Sequence, residues 1–111
     1  MPVIVSSEDK TVEKQGQGWE VQRVAGQDLF NGSGLAAFHW ILDPQASGPE
    51  IVHGNYDEMI YVISGSGTAF VGGRRLPLET EDLLWLEPGD RCYFEAGAQG
   101  LELLQGYAPG D

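Results

Sequence analysis

Apolar residues in this chain come in short runs cut by glycine and proline, and no stretch keeps a helical period. That pattern predicts many short strands joined by tight turns. Residues 3–5 and 19–24 read as the first strands, the second with Trp19 and Val21 on one face and Glu20 and Gln22 on the other. Between them, residues 10–18 are polar and read as loop. Residues 30–34 read as a turn around Asn31-Gly32. Residues 35–42 and 59–64 are apolar at both alternating phases, which predicts strands covered on both sides, in a sandwich whose outer face meets a partner. Gly65–Gly67 predicts a turn into residues 68–71, and Gly72-Gly73 a hairpin into residues 74–78. Residues 83–86, a Pro88-Gly89-Asp90 turn, and residues 92–95 and 101–107 complete the set. Roughly seven to nine strands in about a hundred residues predict an all-β sandwich or small barrel.

The length, 111 residues, suits one domain spanning residues 1–111 with one modest core. Charge narrows the partners: 17 acidic residues against 6 basic ones give a net charge of −11, which repels nucleic acid and anionic membranes. Cys92 stands alone, so no internal disulfide forms, and a reducing compartment is expected. The first residues lack a basic region followed by an apolar stretch, and no run approaches the length of a membrane span. A cytoplasmic protein is the expectation. Asn31-Gly32-Ser33 matches a glycosylation sequon, but without a secretion signal it reads as the turn named above.

Two stretches carry a family likeness. In the first, Pro44, Pro49, His53, Glu58 and Gly65 fall in register, with four residues between His53 and Glu58 and six between Glu58 and Gly65. In the second, Pro88, Gly89 and Cys92 follow in order. Together these resemble the two motifs of the cupin superfamily, a jelly-roll β-barrel, and the likeness covers residues 35–107, leaving residues 1–34 as N-terminal strands. The departures are specific. Ile51 stands where the first motif has its first histidine, and Cys92 where the second motif has its own. Glu81 and Glu87 replace a glycine and a proline. A looser register, with His53 first and Asn55 second, leaves two residues before Glu58 and loses Pro49.

What the resemblance implies is a site inside the barrel. His53, Glu58 and Cys92 are its candidate metal ligands, for zinc or iron, or for no metal at all. Ile51 cannot coordinate, so an iron site of two histidines and a carboxylate is not available. His53 and Glu58 are equally an acid–base pair or a hydrogen-bonded pair without metal. Ile51 shares a face with His53, and Ile60 and Val62 share one with Glu58. With Asn55 and Phe94 they predict a mostly apolar pocket of the kind that takes a small molecule. Cys92 has a second reading as a small packed hydrophobe. His39, on an apolar strand, reads as a core or interface histidine. Tyr61 lies on the face opposite Glu58 and reads as packing. Arg74-Arg75 reads as solvated edge charge. Gly65-Ser66-Gly67 is followed by no helix and is not a dinucleotide fingerprint.

Three functions remain open. One is a small enzyme, an oxidoreductase, isomerase or lyase, using His53 and Glu58. The second is a non-catalytic carrier or sensor of a small apolar ligand. The third is a partner-binding domain with a filled barrel. A homodimer is expected from the family and from the strands apolar on both faces.

Overall fold

The computed structural model describes residues 11–25, 36–52 and 56–107. The expected strand at 3–5, the turn at 30–34, and both His53 and Asn55 lie outside these residues. The described residues form β1 (Thr11–Gly16), β2 (Trp19–Ala25), β3 (Ala36–Leu42), β4 (Ile51–Val52), β5 (Glu58–Val71), β6 (Arg74–Glu79), β7 (Leu83–Leu86) and β8 (Arg91–Tyr107), with no helix among them.

Two long strands organise the rest. β5 and β8 pair antiparallel along most of their length, and each contributes one half to each of two facing layers. In the first layer the second half of β8 pairs β3, with Trp40 opposite Leu103 and Phe38 opposite Gln105. β2 and then β1 extend that layer on one side. The first half of β5, flanked by β7 with Glu58 opposite Leu86, extends it on the other. In the second layer the first half of β8 pairs β4, Ile51 opposite Cys92, and the second half of β5 pairs β6, Ala69 opposite Leu76. This is a jelly-roll sandwich.

Residues that alternate inward from both layers make the core. Ile60, Val62, Ala69, Cys92 and Leu103 are all 0% exposed, and Leu86, Leu101 and Phe94 are nearly so. A fully buried Leu, Ile or Phe side chain contributes about 2 kcal/mol over leaving it in water. The alternation of hydrophobic residues therefore sets register, because a one-residue slip would turn the buried set out.

Three expectations are corrected. Gly65–Gly67 is not a turn: β5 continues through it, and the irregularity appears as register shifts against β8 between Val62 and Ser64 and between Gly65 and Gly67. Both glycines allow a close crossing. A Cβ on Gly65 would run into the Gly100 carbonyl, and one on Gly67 into the Glu95 carbonyl. Residues 92–95 and 101–107 are likewise one bent strand, because β8 changes layers without leaving its partner β5. The polar stretch 10–18 is mostly strand: β1 pairs β2 with every residue exposed, so backbone pairing and not burial defines it. An edge strand bearing charges gives no apolar signal to read.

The turns before β7 and β8 share one device. Asp82 N donates to Glu79 O and Glu79 N donates to Asp82 Oδ2, and Asp90 does the same with Glu87. The third residue of each turn has positive φ, 76° at Glu81 and 88° at Gly89.

Candidate functional site

On the inward phase of β8 the sequence runs Leu101, Leu103, Gln105, Tyr107. Gln105 is thus delivered to the core as a polar group, and it is 6% exposed. Two partners accommodate it. The Trp40 indole donates from Nε1 to Gln105 Oε1 at 2.6 Å. Gln105 Nε2 donates to Glu58 Oε1 at 2.5 Å. Glu58, brought in at the start of β5, is 1% exposed. An indole N–H can only donate, so it must face the carbonyl oxygen of the amide. That fixes which way the Gln105 side chain is turned, and the amide nitrogen then meets the carboxyl group. The sequence reading did not single out Gln105. Its signal was present: a lone amide on the buried phase of an alternating strand.

This relay borders a cavity of about 330 Å³ over the inner face of β1, β2, β3 and β8. Trp19, Val21, Phe38, Trp40, Gln105 and Tyr107 line it from that one sheet face, Glu13 and Lys14 lie on its β1 side, and Pro49, Glu50 and Ile51 complete the lining. Its aromatic rings support each other. Trp19 stacks on Trp40 and Phe38 on Tyr107, each pair with ring centres 6.0 Å apart, and Tyr56 backs Tyr107 at 4.6 Å. Burial, the hydrogen bond and charge of Tyr56, and the charges of Glu58 and Glu13 push the Tyr107 hydroxyl up to about 12, so it is a hydrogen-bonding phenol at any ordinary pH. Gln105 lines the cavity and Glu58 does not; the carboxyl lies behind the amide.

Of the residues expected at the site, Ile51 reaches this cavity. Ile60, Val62 and Phe94 are packed in the core. Cys92 is buried, and burial first, then the charges of Glu58 and Asp90, push its thiol from 9.0 up to about 12. His39 is not in the cavity: its Nε2 lies 3.0 Å from Glu102 Oε1, and Ser64 Oγ donates to Glu102 Oε2, which ties β3, β5 and β8 together on the outer face.

The described residues do not by themselves make a metal site. Ile51 has no donor atom, and one oxygen of Glu58 is engaged by Gln105. Among the described residues no three of His, Cys, Asp and Glu gather closely enough to hold an ion. The arrangement can hold a ligand in an aromatic slot and present it with an oriented amide.

Comparisons place this geometry. Solved structures of the same fold include KdgF from Halomonas sp., with a TM-score of 0.80 at 16% identity over 100% of this chain and 96% of that one. A predicted oxalate decarboxylase from Thermotoga maritima gives 0.80 at 19% identity, covering 96% and 98%. An RmlC-like cupin from Shewanella frigidimarina gives 0.75 at 23% identity, covering 95% and 88%. At such identities the likeness is one of fold. Among curated proteins none matches the sequence. The family model described as the cupin domain matches residues 38–102, more than half of the chain, and includes Glu58, Cys92 and the layer-crossing halves of β5 and β8. The chain belongs to the cupin family.

Proposed function

We propose that this cupin binds a small, largely apolar molecule in the aromatic cavity beside Gln105, without chemistry of its own. The observation that carries the reading is the order of groups. The cavity meets the Gln105 amide, and Glu58 stands behind it. A general acid or base has to reach the atom it serves. A carboxyl screened by an amide is better placed to hold that amide than to exchange protons with a ligand.

The neutral dye N-phenyl-1-naphthylamine tests this, because its emission rises on entering an apolar cavity. Saturable brightening by the wild-type protein, lost in Val21→Trp, which fills the slot, is the expected result. No brightening, or equal brightening by the variant, overturns it. Bound ligand is expected to raise Tm and to be recovered unchanged.

A second reading keeps catalysis on His53 and Glu58. It is favoured by the burial of Glu58, 1% exposed, at the carboxylate position of the cupin motif. It requires product on prolonged incubation and loss of turnover in Glu58→Gln. Elemental analysis of wild type and His53→Ala tests the metal set His53, Glu58 and Cys92.

The expected homodimer is proposed to use the outer face of the first layer. Two rows cross four strands there: Ala37, Gly106, Met59 and Trp85, then His39, Leu104, Tyr61 and Leu83. Neither row contains Asp, Glu, Lys or Arg. In a chain of net charge −11, two copies meeting on these rows oppose few like charges, with Asp57 and Glu102 only at the border. Trp85 and Leu83 are 57% and 56% exposed, more than a lone surface residue of that size calls for.

A further inference from the structure

The clamped amide also states what kind of molecule it selects. A glutamine side chain has two N–H donors and two carbonyl lone pairs. Trp40 takes one lone pair and Glu58 takes one N–H. One donor and one acceptor are left on an amide held at both ends, and Gln105 lines the cavity. Either group left dry by an occupant is penalised, so the occupant that fits offers a carbonyl to Nε2–H and an N–H to Oε1. An amide carries both in one plane at the spacing of another amide. A ketone satisfies the donor and leaves the acceptor bare. A single hydroxyl oxygen meets both atoms only at poor angles. A carboxylate brings no donor and sets its charge near the buried Glu58, in a lining where two carboxylates, Glu13 and Glu50, stand against one cation, Lys14. The Trp19–Trp40 and Phe38–Tyr107 stacks lie side by side on the cavity lining, so a flat apolar ring meets aromatic surface there.

We infer that the cavity is selective for a neutral carboxamide or lactam carried on a flat apolar ring, with Gln105 the residue that sets this selectivity. The inference rests on the cavity being the ligand site, and the test separates the two. Benzamide, acetophenone, benzyl alcohol and benzoate are compared as displacers of N-phenyl-1-naphthylamine from the wild-type protein. Benzamide is expected to displace the dye at about one tenth of the concentration that acetophenone or benzyl alcohol needs, the worth of one net hydrogen bond. Benzoate is expected to be weakest. In Gln105→Met, which keeps length and removes both polar atoms, benzamide and acetophenone are expected to become equal. Should that variant fail to fold, the order of displacers on the wild-type protein decides alone. If acetophenone, benzyl alcohol or benzoate matches benzamide, or benzamide fails to displace the dye, the amide selectivity is wrong and the binding reading stands. If the dye itself does not bind, both fall.

Discussion

Gln105 is the one amide among Leu101, Leu103 and Tyr107 on the buried phase of β8, and it is tolerated there because Trp40 and Glu58 hold both ends of it. Gln105→Leu removes the acceptor from a buried indole N–H and is expected to cost about 1–3 kcal/mol in urea unfolding; an unchanged midpoint would show that the relay is not formed. Cys92 and Tyr107 set the alkaline limit. Burial raises the thiol from 9.0 and the phenol from 10.0, each to about 12. Above pH 9 the unfolded chain releases these protons while the folded chain keeps them, so the folded state binds more protons and stability falls as pH rises. The urea midpoint is expected to be insensitive to these two groups below pH 9 and to decline between pH 9 and 12. Cys92→Ala should soften the start of that decline; an identical profile would contradict the assignment. The sequence made Glu58 and Cys92 visible because the motif register points at them. It left Gln105 unmarked because its meaning depends on Trp40, 65 positions away in the chain.

Turn chemistry explains why the second motif expects glycine where this chain has Glu81. The two matching turns put their third residues at φ of 76° and 88°, the second being Gly89. A glutamate there carries a steric penalty that glycine does not. Glu81→Gly is therefore expected to stabilise the protein by about 1 kcal/mol, read as a higher urea midpoint; a lower midpoint would mean that Glu81 makes a contact that outweighs the strain. Gly65 is the opposite case, with φ at 82° and the Gly100 carbonyl against the place of a Cβ. Gly65→Ala is expected to lower stability by about 3 kcal/mol or more, from left-handed strain plus overpacking. The Gly72-Gly73 hairpin and the Pro88-Gly89 turn were legible because glycine and proline there interrupt the apolar runs where the chain changes direction. Gly65 and Gly67 were misread because glycine marks a close strand crossing as readily as a turn. β1 was missed because no apolar residue of it is buried.

Jelly-roll closure brings the ends of distant strands around one slot, which is how residues from β1 to β8 share a cavity. The same closure leaves one outer face apolar. Light scattering is expected to return twice the 12.1 kDa chain mass for the wild type and the single mass for Trp85→Glu; a wild-type monomer would refute the dimer. The molecule has 3 tryptophans, and they report on separate places: Trp19 and Trp40 line the cavity, and Trp85 lies on the outer face. Their indole N–H signals in a two-dimensional ¹⁵N–¹H spectrum therefore follow ligand position directly. A titration with benzamide followed in this spectrum locates the ligand. The Trp40 signal, hydrogen-bonded to Gln105, is expected to move while that of Trp85 stays fixed. Movement of Trp85 alone, or of none of them, would contradict this placement.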